Sequence, residues 1–105
     1  MLEWALQHLD ESLTVDRLAA VAHMSRRNFI RAFRGATGAT PAAWVRSRRL
    51  DEARRLLEST DLPVEQVAVR CGLGNPVTLR QNFAAAFGTS PSEYRRRFDV
   101  RSTSV

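Results

Sequence analysis

Residues Phe33-Arg34-Gly35-Ala36-Thr37-Gly38-Ala39-Thr40-Pro41-Ala42-Ala43-Trp44 return 50 positions later as Phe83-Ala84-Ala85-Ala86-Phe87-Gly88-Thr89-Ser90-Pro91-Ser92-Glu93-Tyr94. In each copy a glycine stops one helix, a proline suits the first position of the next, and an aromatic follows three residues on. The match extends upstream. Phe29 pairs with Leu79 at the same offset, and Val15, Leu18 and Ala19 pair with Val64, Val67 and Ala68 at an offset of 49. The extra residue falls in the Gly72–Pro76 turn, where a length change does least harm. Short helices share patterns by chance, but a Gly/Pro/aromatic string matched in order points to an internal repeat.

Nothing alternates with period two over a useful length, whereas 3.6-residue periods recur, so the expected fold class is all-α with seven helices. The first runs from about Leu2 to Leu9, with Leu2, Leu6 and Leu9 on one side. The second starts at Thr14 and carries Val15, Leu18, Ala19 and Ala22. Ser25 is a good N-cap for the third, which runs to about Gly35. A long helix spans Pro41 to Glu58, with Trp44, Val45, Leu50, Ala53, Leu56 and Leu57 as its core side. Shorter helices follow over Pro63–Cys71, from the Pro76 turn to Phe87, and from Pro91 to Phe98. Two helix-turn-helix subdomains (1–40 and 59–98) are thus expected, joined by a linker helix (41–58), with a disordered tail (99–105).

Charge narrows the function. The chain has 16 basic and 11 acidic residues, a net charge of +5, and all the basic residues are arginine. Between Asp16 and Asp51 no acid occurs, while Arg17, Arg26, Arg27, Arg31, Arg34, Arg46, Arg48 and Arg49 fall in that window. Such a block suits a polyanion, although arginine-rich solvated faces are also common.

On the third helix Phe29, Ala32, Phe33 and Ala36 are expected to face the core. Arg27, Arg31 and Arg34, at i, i+4 and i+7, face the other way with Ile30 beside them. A helix in the major groove needs this division, because guanidinium groups take guanine O6 and N7 as a pair or grip phosphates. The N-terminal end meets the bases, which favours Arg27 and Arg31. On the sixth helix Leu79, Phe83, Ala86 and Phe87 are expected inward, leaving Val77, Thr78, Gln81 and Ala85 outward with Arg80 at the flank. Gln81 suits adenine and Val77 a thymine methyl, but little positive charge accompanies them. The expectation is an asymmetric reader with a dominant first unit. An 18-residue linker helix spans roughly 27 Å, against about 34 Å between successive major grooves on one face of DNA.

An enzyme has little support. There is no phosphate loop, no nucleophile–base pair and no metal-ligand spacing; His23 reads as a surface histidine in a turn and Cys71, the lone cysteine, as a small core residue. No cofactor or metal is expected. No apolar run reaches membrane-spanning length and no leader segment is evident, so the expected location is cytoplasmic. The rival reading is a helical protein-interaction module, docking RNA polymerase or a sensor domain, which predicts an exposed apolar patch in place of a basic one.

The chain resembles the C-terminal DNA-binding domain of the AraC/XylS family of transcription regulators, over about Leu2 to Phe98. The strongest stretch is Val64-x-x-Val67-Ala68-x-x-Cys71-Gly72-Leu73, then Phe83, then Phe87-Gly88-Thr89-Ser90-Pro91-x-x-Tyr94-Arg95; the run Arg49-Leu50-x-x-Ala53-x-x-Leu56-Leu57 also matches. Met24-Ser25-Arg26-Arg27 and Asp61 to Ala68 resemble the subfamily whose full-length members carry a DJ-1/PfpI-like N-terminal domain. The resemblance implies double-stranded DNA as partner, with RNA polymerase, in an activator that dimerises through that other domain while the isolated unit is monomeric. It places Arg27 and Arg31 at base-reading positions of the first recognition helix, with Arg26, Ile30 and Arg34 around them. Val77, Arg80 and Gln81 take corresponding positions in the second, beside Thr78. Gln81 stands where the subfamily usually has arginine, Ala84-Ala85-Ala86 where basic residues are frequent, and Leu73 where an aromatic is usual. These departures also point to a weaker second reader.

Overall fold

The two copies of the repeat fold with the same hydrogen bonds. The computed structural model describes the backbone of residues 1–103 and the side chains of residues 1–97. Among the described residues it holds seven α-helices: α1 (Leu2–Leu6), α2 (Val15–Val21), α3 (Arg26–Thr37), α4 (Pro41–Ser59), α5 (Val64–Cys71), α6 (Pro76–Phe87) and α7 (Pro91–Thr103). The disordered tail expected over 99–105 is corrected in part: the last helix continues past the expected Phe98 to Thr103, and residues 104–105 lie outside the described residues. The chain divides into two compact units, Met1–Arg48 and Arg49–Val105. The boundary falls inside α4, so each half of the long helix belongs to the unit it packs with.

In the first helix-turn-helix, the Met24 N–H bonds Ala19 O (2.9 Å) and the His23 N–H bonds Ala20 O (3.1 Å). In the second, Leu73 bonds Ala68 O (3.0 Å) and Gly72 bonds Val69 O (3.2 Å), the same pair of bonds shifted by 49. Gly74, at φ 86°, is the inserted residue, and its N–H joins Leu73 on Ala68 O (3.0 Å). After it the offset is 50. Ser25 Oγ accepts from the Asn28 N–H (3.3 Å), and Asn75 Oδ1 from the Thr78 N–H (2.9 Å), each worth about 1 kcal/mol as a helix cap. Gly38 and Gly88 end α3 and α6 in the left-handed conformation. Thr40 and Ser90 hydroxyls then cap Ala43 and Glu93. The aromatics repeat as well: Phe33 meets Trp44 edge-on at 5.7 Å, and Phe83 meets Tyr94 edge-on at 5.5 Å.

The first core joins Ala5, Leu18, Ala19, Phe29, Phe33 and Val45; the second joins Leu50, Ala53, Leu56, Leu57, Val67, Ala68, Cys71, Leu79 and Phe83. Four sequence expectations are corrected. Leu2 and Leu6 are exposed, at 39% and 48%, while Ala5 and Leu9 are buried, because α1 turns its small Ala5 to the core. The third helix runs past Gly35 to Thr37, since a glycine inside a helix costs only about 1 kcal/mol and the stop comes from the left-handed Gly38. Ala32 and Ala36 are exposed rather than core. Ala86 is exposed too, its place being filled by the larger Phe87, which packs on the second core.

Candidate nucleic-acid interface

Phe29 and Phe33, both under 5% exposed, anchor α3 and fix which way its other residues point. Arg27, Arg31 and Arg34 are exposed, and none makes an ion pair among the described residues. Ile30 is half-buried at the border between these arginines and the core. Arg26 is exposed but pairs with Asp16 (Nη1–Oδ1 3.0 Å). Three unneutralised guanidinium groups within two turns repel one another, and an anion relieves that repulsion.

The remainder of the basic block is not equally available. Arg17 bonds Glu11 Oε1 (2.7 Å) and Ser12 O (3.0 Å), and its guanidinium lies 5.0 Å over the Trp4 ring. The Arg17 hydrogen bond holds the Glu11 carboxyl below the usual carboxylate range. Arg48 lies 6.0 Å over Trp44, and burial lowers the Arg49 guanidinium from its ordinary value. Arg46 is exposed. From the block of eight arginines the sequence favours Arg27 and Arg31 as base readers; the folded first unit leaves Arg27, Arg31, Arg34 and Arg46 exposed and without ion pairs among the described residues.

On α6, Val77 is 57% exposed, Arg80 and Gln81 are exposed, and Thr78 is half-buried. Thr78 is engaged locally: Asn75 caps its N–H and the Asn82 amide donates to its carbonyl (2.8 Å). Ala84, Ala85 and Ala86 are all exposed, so the outward surface is small and uncharged apart from Arg80. Asn28, which the sequence reading did not single out, is exposed beside Arg27 and Arg31. Its signal was position alone, one residue after Arg27 and three before Arg31.

Ala32 and Ala36 open instead onto an apolar groove of about 220 Å³ in the first unit, shared with Met1, Leu2 and Met24. Arg95, part of the Tyr-Arg motif, is structural. It donates to the carbonyls of Leu57 (3.4 Å), Thr60 (3.2 Å) and Leu62 (2.5 Å), while the Tyr94 hydroxyl donates to Glu58. Among the described residues no three His, Cys, Asp or Glu side chains are grouped to hold a metal ion. No described helix is long and apolar enough to cross a membrane.

A family model described as "Helix-turn-helix domain" matches residues 18–97. The HTH-type transcriptional regulator Rv1931c of Mycobacterium tuberculosis is 40% identical over 84 residues, which are 80% of this chain and 32% of that protein. The DNA-binding domain of AdpA, a global transcriptional factor solved in complex with a target DNA, superposes with a TM-score of 0.91 at 47% identity, covering 95% of this chain and 90% of that one. An AraC-type DNA-binding-domain protein from Chromobacterium violaceum gives 0.85 at 26% identity, covering 92% and 87%. The chain belongs to the AraC-type family of helix-turn-helix DNA-binding transcription regulators. These relatives are transcription regulators by name. They include a named transcriptional activator, RclR of Escherichia coli, 34% identical over 97 residues, or 92% of this chain and 34% of that protein. The AraC-type chain described here spans about a third of the length of the curated relatives it matches.

Proposed function

We propose that the chain binds double-stranded DNA sequence-specifically in the cytoplasm, with α3 in one major groove and α6 in the next, and that α3 carries most of the discrimination. The observation that carries this reading is the face of α3. Its apolar side is locked by Phe29 and Phe33, while Arg27, Arg31 and Arg34 stand exposed and without ion pairs among the described residues. Long donors that are desolvated only on docking are matched to guanine edges and phosphates. A helix of 19 residues, about 28 Å long at 1.5 Å per residue, suits two readers in successive grooves. Arg26 contributes to the backbone by exchanging Asp16 for phosphate. On α6, Gln81 and Val77 meet bases, Arg80 a phosphate, and Thr78 lies beside them.

Arg27→Ala and Arg31→Ala are each expected to weaken binding to the selected site by about 1–3 kcal/mol and to relax base preference. Titration of both variants against a duplex selected from a random pool tests this; wild-type affinity and preference in both would refute it.

One observation favours a second, compatible reading. The apolar groove beside Ala32 and Ala36 leaves Met24 40% exposed and lies on a different side of α3 from the arginines. This is the kind of surface by which a regulator docks RNA polymerase or another domain. We place dimerisation, and the DJ-1/PfpI-like domain, outside the present chain. A shift assay with random duplex at two salt concentrations separates a DNA reader from a module that binds only protein.

A further inference from the structure

We propose that Asn28 is a specificity-determining residue that reads an adenine next to the base pair engaged by Arg31, an inference resting on the reading of α3 as a DNA-reading helix. The residue occupies the first turn of α3, the part of such a helix that comes nearest the bases. At 100° per residue, Arg27 and Asn28 lie about 40° and 60° to either side of Arg31, so the three share one face. Arg34 falls about 60° round on the Arg27 side, and a turn further along.

The local chemistry leaves the Asn28 amide unengaged. Its backbone N–H is taken by Ser25 Oγ (3.3 Å), so the helix end is already capped without the side chain. The side chain is exposed and makes no hydrogen bond among the described residues. Asn82 of α6 shows the alternative: its amide is half-buried and folded back onto the Thr78 carbonyl (2.8 Å). Asn28 has no such acceptor, because four residues earlier the chain is still in the turn. A carboxamide offers one acceptor and one donor group side by side, the pattern complementary to adenine N6 and N7 in the major groove. Beside two arginines suited to guanine, and next to Arg31, Asn28 therefore specifies a purine of the other kind.

The experiment selects a duplex from a random pool with the wild-type chain, then measures affinity for every single base-pair substitution at fixed salt, for wild type, Asn28→Ala, Arg27→Ala and Arg31→Ala. Because Asn28 is exposed, thermal unfolding of Asn28→Ala should match wild type, which checks that the fold is unchanged. The expected result is one A·T position, adjacent to a guanine position lost in Arg31→Ala, where wild type discriminates about tenfold or more and Asn28→Ala about twofold or less. Discrimination elsewhere stays as in wild type. If Asn28→Ala weakens binding equally to every duplex, the amide grips the backbone and the proposal is wrong. It is equally wrong if Asn28→Ala changes nothing while the arginine variants lose discrimination, and the DNA-reading role of α3 then stands. If the arginine variants also discriminate as wild type does, that underlying reading fails as well.

Discussion

His23 holds a φ of 56° in the turn between α2 and α3, where the corresponding Gly72 of the second unit has a φ of 94°. A side chain in the left-handed region costs roughly 1–2 kcal/mol that glycine does not pay. His23→Gly is therefore expected to stabilise the first unit by about 0.5–1 kcal/mol, the gain being reduced by glycine's extra freedom when unfolded, and urea denaturation checks it. The sequence marks His23 as a turn residue, but the left-handed backbone is not legible there, because histidine gives no sign of a conformation that glycine advertises. Cys71 was legible as core. It is fully buried, its thiol donates to Ala68 O at 3.5 Å, and burial pushes that thiol up from its ordinary value. Alkylation of the native chain should be far slower than of the urea-unfolded chain at the same pH. Equal rates would contradict the packing described for the second core.

At the scale of helices, sequence and structure agree where a residue type has one physical use. Ser25, Gly38, Gly88, Pro41 and Pro91 mark where α3, α4, α6 and α7 start or stop to within a residue or two, although α7 runs on to Thr103, past the expected Phe98. Burial of small residues was less legible. Alanine is compatible with either face of a helix, so the wheel placed Ala32, Ala36 and Ala86 inward, whereas larger neighbours fill the cores and leave them exposed. Long polar side chains were illegible for a different reason, since their partners lie far along the chain. Arg95 reaches back 33 to 38 residues to hold three backbone carbonyls where α4 gives way to α5. Hydrogen bonds from a charged donor are each worth about 1.5–3 kcal/mol, and this side chain is only partly buried. Arg95→Ala should thus destabilise the second unit by about 2 kcal/mol, read by calorimetry or urea denaturation. An unchanged midpoint would show that solvent replaces these bonds at no loss.

For the molecule as a whole, charge is the feature that the sequence displays and the fold redistributes. Eight arginines lie between Asp16 and Asp51, yet Arg17 and Arg26 are paired with Glu11 and Asp16. Beside the base-reading Arg27 and Arg31, Arg34 and Arg46 remain as the first unit's ready phosphate donors, Arg26 joins them on exchanging Asp16 for phosphate, and Arg80 adds one on α6. Four to five neutralised phosphates give a log–log salt slope of roughly −3.5 to −4.5, and a flat dependence would remove nucleic acid as the main partner. The same redistribution underlies the inequality proposed for the two readers: arginine–guanine pairs discriminate by about 1–3 kcal/mol, whereas α6 presents Val77, Gln81 and alanines. The most direct test substitutes base pairs one at a time across both halves of a selected site and measures affinity at fixed salt. Large penalties confined to the half facing α3, with small ones in the half facing α6, are the predicted result; equal penalties in both halves would contradict it.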